Sequence, residues 1–293
     1  MPTLLATEAT SRTLDVNRIR LQCLEHPGDA PPILLLHSLT GNSRIFDGLV
    51  AAGLSPAFQL FVPDLRGRGA TETTLAGYSL EQGRADIVAL LDALGLERVV
   101  LCGHSFGGLL ALYAAAHEPE RVSHLILLDA GVEMHPATPL MVAAATARLD
   151  QLFPSIESYR AVVRMAPYVN RWYDEMNGFV EADLRRLAPG LLTTSSRGAV
   201  AAAATLQVYA KSNREWRDYA SRVEQPSLLI QASEPFLMGL PMLEDDKARE
   251  TAELLGGRLA RATGNHFTML FGPGAEEIVA TVTAFLHEPN IRR

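Results

Sequence analysis

Four short apolar runs in the first half of the chain, each bounded by turn residues, constrain its fold more than any other feature. They are PPILLLH at 31–37, FQLFVPD at 58–64, RVVLCGH at 98–104 and HLILLDA at 124–130. Runs that are short and apolar at nearly every position, without alternation, suit strands buried on both faces, as in a parallel sheet covered by helices. Helical patterns lie between them. The clearest is SLEQGRADIVALLDALGL, in which Ser79 is placed to cap and Ile87, Leu90, Leu91 and Leu94 recur at helical spacing. From about 133 to 222 strand-like runs nearly vanish, and helix formers and aromatics take over. The sheet pattern then resumes with PSLLIQA at 226–232 and GRLARATG at 257–264, separated by the helix-like EDDKARETAELLGG; a helix around EEIVATVTAFL closes the chain. This resumption predicts one α/β domain made of residues 1–132 and 223–293, with a helical cap inserted over 133–222, rather than two domains side by side.

The 293 residues are enough for such a domain, and 48% hydrophobic against 20% charged residues is the balance of an ordinary globular core. A formal net charge of -7, from 33 acidic and 26 basic residues with no Lys/Arg block, argues against a nucleic-acid partner. The opening MPTLLATEATSRTLDV lacks a basic stretch followed by a long apolar one, and no apolar run approaches the roughly 20 residues that span a bilayer. The two cysteines, Cys23 and Cys102, stand in apolar surroundings without metal-ligand spacing. The expectation is a soluble, cytoplasmic protein with reduced thiols and no membrane partner.

Chemistry concentrates in Gly103-His104-Ser105-Phe106-Gly107, which follows the strand RVVLC and leads into the helix-like GLLALYAAA. A serine on so tight a strand-to-helix turn is a nucleophile elbow, and its neighbours must be small where backbones come close. The turn also sets Ser105 at a helix N-terminus, whose free N–H groups favour an oxyanion. A serine hydroxyl needs a base within hydrogen-bond reach. His266, in the loop TGNHFTML after the last strand-like run, is the best placed of the eight histidines. His104 is expected to point away from the nucleophile. For the oxyanion, the N–H of Phe106 needs a second donor, and Leu39 in the loop HSLTGN is the choice, with Ser38 and Gly41 letting that loop approach the substrate. His37 is then an orienting hydrogen-bonder rather than a base.

HSLTGN, PDLRGRGAT, CGHSFGG and NHFTML stand in the order and spacing of the α/β-hydrolases, and the chain resembles that superfamily over essentially its whole length. The resemblance implies an eight-stranded, mostly parallel sheet flanked by helices, a Ser–His–acid triad and a pocket under a helical cap. It makes Asp64 of PDLRGRG structural. Ser38 departs from the glycine common in that loop. A second departure matters more: where the family leads one to expect an aspartate, after PSLLIQA, the chain reads Ala232-Ser233-Glu234-Pro235. Two carboxylates remain as the acid. Asp129, at the end of HLILLDA, is preferred, because a buried strand end fixes a carboxylate better than a loop and some members of the superfamily take their acid there. Glu234 is the alternative.

The chemistry expected is hydrolysis of a small or medium hydrophobic ester or lactone, with no metal and no organic cofactor. Ser38, Phe236, Met238 and Phe267 are expected around the substrate, with Tyr168, Trp172, Tyr173 and Phe179 above it. Arg44, Arg164 and Arg171 keep open a carboxylate-bearing substrate, such as a half-ester or a diketone acid cleaved at a carbon–carbon bond. Perhydrolysis with the same triad and a non-catalytic ligand receptor are the other readings. A homodimer through the cap is left open.

Overall fold

In a computed structural model, which describes residues 9–288, the apolar runs form the strands of one sheet. Residues 1–8 of the opening MPTLLATEATSRTLDV lie outside the described residues. An edge hairpin, β1 (Thr10–Val16) and β2 (Ile19–His26), precedes β3 (Ile33–Leu36), β4 (Leu60–Pro63), β5 (Val99–His104) and β6 (Val122–Leu128). Three short strands, β7 (Leu152–Phe153), β8 (Leu184–Ala188) and β9 (Leu191–Thr194), come next, and β10 (Ser227–Ala232) and β11 (Arg258–Ala262) complete the strands among the described residues. The main sheet has eight strands in the order β1-β2-β4-β3-β5-β6-β10-β11, parallel from β4 through β11 and antiparallel at the β1-β2-β4 edge.

The near-continuous apolarity of the central strands follows from their two covered faces. Ile33 and Leu35 of β3, Val100 and Cys102 of β5, and Ile126 and Leu128 of β6 enter one core. Their neighbours Leu34, Leu36, Val99, Leu101, Leu125 and Leu127 enter the other. Each such leucine contributes about 1.5–3 kcal/mol by leaving water. The second core is closed by α3 (Leu80–Leu94) and α4 (Phe106–His117). Ser79 caps α3 by accepting the Gln82 N–H, and Gly95 ends it in the left-handed region at φ 68°. On the other face lie two short helices, α1 (Asp47–Ala51) and α2 (Leu54–Ala57), together with the C-terminal α11 (Gly272–His287).

Between β6 and β10 the chain leaves the sheet. It forms α5 (Thr138–Thr146), α6 (Ile156–Arg164), α7 (Met176–Ala182), α8 (Gly198–Tyr209) and α9 (Asn213–Arg222), with α10 (Asp245–Leu254) following β10. Two expectations need correction here. The insertion is not purely helical, since β7, β9 and β8 make a three-stranded antiparallel sheet. The other concerns how separate it is: α9, at its end, packs against α4 and α10 and sends Trp216 and Tyr219 into the core of the main sheet. The insertion has no separate core: Phe153, Tyr159, Val163, Met176 and Phe179 belong to the same apolar cluster as Ile33 and Leu35. Among the described residues no helix is long and apolar enough to cross a membrane.

Candidate active site

The strand order places β4 on one side of β3 and β5 on the other, so the chain reverses its direction of winding between β3 and β5. The loops leaving the carboxyl ends of these two strands splay apart there and open a crevice. Both candidate loops start from it. Ser105 follows β5 directly, with φ 56° and ψ -120°, a conformation rarely populated by a residue with a side chain. Its surroundings hold it there. The Ser105 N–H donates to the Leu128 carbonyl at 3.0 Å. A Cβ on Gly103 would stand 2.2 Å from the Gly107 carbonyl oxygen, and one on Gly107 would stand 2.1 Å from that of Leu36. Only glycine permits this approach of elbow to sheet.

Asp129, immediately after β6, is a second non-glycine residue at positive φ, 48°. It is 2% exposed; its N–H donates to the Ile230 carbonyl and its Oδ1 accepts the Ala232 N–H at 3.0 Å, both from neighbouring β10. The remaining oxygen, Oδ2, lies 2.6 Å from His266 Nδ1. A carboxylate only accepts, so Nδ1 carries the proton and Nε2 keeps a free lone pair. The loop presenting His266 is shaped by Asn265, whose Oδ1 accepts the N–H groups of Phe267 and Thr268 and whose Nδ2 donates to the Tyr168 carbonyl in the insertion.

His104, expected to point away from the nucleophile, packs against the histidine of this cluster. Its ring lies 4.7 Å from that of His266, and its Nε2–H donates to the His266 carbonyl at 2.7 Å. Burial holds His104 well below the ordinary histidine range, so it stays neutral. Glu234 lies apart, accepting from Asn170 Nδ2 at 2.8 Å and pairing with Arg171 at 3.3 Å. The structure thus brings Asp129, not Glu234, to His266.

The loop 38–40 hangs from His37. The Leu65 N–H donates to His37 Nε2 at 2.9 Å, so the ring proton is on Nδ1 and goes to the Ser38 carbonyl at 2.7 Å. Burial pulls the His37 pKa down to about 3, which keeps this tautomer neutral and suits an orienting role. Ser38, Leu39, His104, Ser105, His266 and Phe267 line one cavity of about 70 Å³. That is small beside the roughly 300–1,000 Å³ of ordinary ligand pockets. Phe236, Tyr168 and Phe179 complete its aromatic wall.

Other expected contacts are absent. Met238 is 78% exposed at a surface turn. Trp172 stacks under the Arg164 guanidinium at 4.4 Å, and Tyr173 packs against Gly272; neither lines the cavity. The N–H of Phe106, in the first turn of α4, has no intrahelical acceptor. Its ring turns away into a second, smaller cavity with Leu65 and Tyr78. Arg44, Arg164 and Arg171 are engaged with Asp47, Trp172 and Glu234. The arginine in the cavity wall is Arg148, which sequence reasoning passed over because nothing in ATARLDQ marks it. Met141 and Met242 are further wall residues without a sequence signal.

A parallel sheet with a strained serine at the head of the helix after β5 and a histidine–aspartate pair beside it defines a class. Residues 31–273 match the model of the alpha/beta hydrolase fold, and the chain belongs to that family. It is 29% identical over 191 residues to a 2-(acetamidomethylene)succinate hydrolase of Mesorhizobium japonicum, covering 65% of this chain and 68% of that protein. It is 26% identical over 205 residues to 3-oxoadipate enol-lactonase 2 of Acinetobacter baylyi, covering 69% and 70%. With an uncharacterized protein of Mycobacterium tuberculosis, 39% identity over 104 residues spans 36% of this chain and only 30% of that relative. The crystal structure of E-2-(acetamidomethylene)succinate hydrolase superposes with a TM-score of 0.82 over 96% of this chain and all of that one, at 24% identity, a likeness of fold.

Proposed function

We propose that the chain is a serine hydrolase that cleaves a carboxylic ester or lactone of a small to medium hydrophobic substrate through an acyl-enzyme. The observation that carries this reading is the 2.6 Å contact of buried Asp129 Oδ2 with Nδ1 of His266, a residue that lines the same cavity as Ser105. Ser105 Oγ attacks the carbonyl carbon as His266 Nε2 takes its proton, and Asp129 stabilises the resulting imidazolium. The N–H groups of Leu39 and Phe106 hold the oxyanion. Collapse of the tetrahedral intermediate expels the alkoxide, which receives the proton from His266. Water then gives a proton to the same nitrogen and attacks the acyl carbonyl; collapse of this second tetrahedral intermediate expels Ser105 Oγ, which takes the proton back from His266, and the acid leaves. The apolar and aromatic wall supports a hydrophobic acyl or alcohol group, and the enol-lactonase relative supports a lactone among the substrates.

One observation favours a second reading, an anionic substrate. Arg148 stands in the cavity wall, and one relative is named for a succinate derivative. Against it, the guanidinium already donates to Tyr159, Asp183, Thr40 and Ala145. The deciding experiment is hydrolysis of p-nitrophenyl esters, a lactone, a half-ester bearing a carboxylate and a diketone acid by wild type and Ser105→Ala. Mass spectrometry reports acylation of Ser105. Ester or lactone turnover that vanishes in the variant, with a trapped acyl group, is the expected result. Undiminished turnover in folded Ser105→Ala overturns the mechanism, and preference for the half-ester or the diketone acid moves the assignment to the second reading.

A further inference from the structure

Among the described residues three arginines are buried: Arg66, Arg68 and Arg148. Two face carboxylates. Arg66 grips Asp86 with two bonds, from Nε at 2.8 Å and Nη2 at 2.5 Å, and Arg148 lies 3.1 Å from Asp183. Arg68, 3% exposed, has none. Its Nε donates to the Leu39 carbonyl at 3.1 Å, its Nη1 donates to the Arg66 carbonyl at 2.8 Å, and its Nη2 has no partner among the described residues. The guanidinium carbon stands 5.3 Å from the centre of the Phe106 ring and 5.9 Å from that of Tyr78. Burial draws its pKa down to about 10, and it remains a cation at neutral pH.

The loop that delivers Arg68 is rigidly held. The Asp64 carboxylate accepts the Ser43 N–H at 2.6 Å and the Ala70 N–H at 2.8 Å, and a Cβ on Gly69 would collide with that carboxylate at 2.2 Å. A buried cation without a counter-ion destabilises a fold. This one touches both residues whose N–H groups converge on the oxyanion: Leu39 through its carbonyl, Phe106 through its ring.

We propose that Arg68 is a positioning residue for oxyanion stabilisation, holding the Leu39 loop and the Phe106 end of the elbow and setting an uncompensated positive charge behind both donors. The proposal rests on the serine-hydrolase reading above. A preorganised charge of this kind acts where negative charge develops, so its loss appears in the chemical step more than in ground-state binding.

The test uses the full chain, p-nitrophenyl acetate turnover and the rate at which a fluorophosphonate labels Ser105, with melting curves to establish folding. Arg68→Met is expected to lower kcat and the labelling rate about 10–100-fold, as loss of a supporting partner does at other sites, while KM stays within about threefold. Arg68→Lys, which keeps the charge, should recover part of that loss. Arg68→Gln, which can still donate to the Leu39 carbonyl, carries the test if Arg68→Met fails to fold, with kcat expected to fall about tenfold. A folded neutral variant with wild-type kcat and labelling, or a loss confined to KM, overturns the proposal. Ser105→Ala separates this failure from that of the underlying reading. If it abolishes turnover and labelling while the Arg68 variants match wild type, only the role of Arg68 falls; if it retains both, the mechanism falls.

Discussion

Two buried guanidiniums hold consecutive carbonyls of the same loop from opposite sides. Arg68 reaches the Leu39 carbonyl from the sheet side, and Arg148 reaches that of Thr40 at 2.7 Å from the insertion. Arg148 sits in a closed network with Asp183 and Tyr159, whose hydroxyl also donates to Asp183, so its charge is spent locally. Arg68 has no carboxylate acting on it, and its field remains available to the site. Similar burial and similar contacts with the loop therefore correspond to different work. Charge balance, not location, separates a strut from a group that acts on chemistry.

The comparison yields an order of effects. On the sheet side, Asp129→Asn is expected to cut kcat by about 10⁴, as loss of the orienting carboxylate does in other triads, with little change in melting temperature. Glu234→Gln, by contrast, should leave steady-state kinetics unchanged. Equal small effects of the two would remove Asp129 from the mechanism. On the insertion side, Asp183→Asn leaves Arg148 a buried, unpaired cation and should cost about 3–5 kcal/mol in a denaturant titration, while activity per folded molecule changes little. Were Asp183→Asn instead to lose kcat at unchanged stability, the two arginines would no longer differ in kind.

A smaller effect comes from His37, which ties loop 38–40 to the sheet side. Its folded pKa, near 3, lies below the ordinary 6.5, so the unfolded chain binds the extra proton between those values. The stability this residue contributes is whole above pH 6.5 and is lost as pH falls towards 3. Thermal melts from pH 7 to 4 should show a shallower decline for His37→Gln than for wild type; parallel curves would contradict the burial of a neutral ring. The smallest effect is expected of the thiols. Burial pushes Cys23 up to about 12 and Cys102 upwards too, so a maleimide at neutral pH should label neither until the chain is unfolded.

The sheet was legible in the chain because strands covered on both faces must be apolar almost throughout, and β3, β4, β5, β6 and β10 are. β7, β8 and β9 were not. β7 has two residues, and β8, LRRLA, is exposed along most of its length, so neither shows a hydrophobic period. The pocket wall was half legible. Phe236 and Phe267 follow strand ends and line the cavity, whereas Trp172 and Tyr173 of the insertion and Met238 of the turn after β10 were misplaced because the paths of these segments depend on contacts made across them.

By itself the sequence determined the order of the doubly covered strands and the helices between them, the elbow at Ser105 and the histidine loop after the last strand, since each is a local pattern enforced by burial or by backbone sterics. Only the tertiary structure decided which carboxylate meets His266, because Asp129 is 137 residues away and reaches it through the lateral pairing of β6 with β10. Tertiary structure also distinguished Arg68 from Arg66, two residues earlier in the same motif. Nothing in RGR says which side chain finds an aspartate, and that depends on Asp86 of α3 lying beside one of them and on no acid lying beside the other.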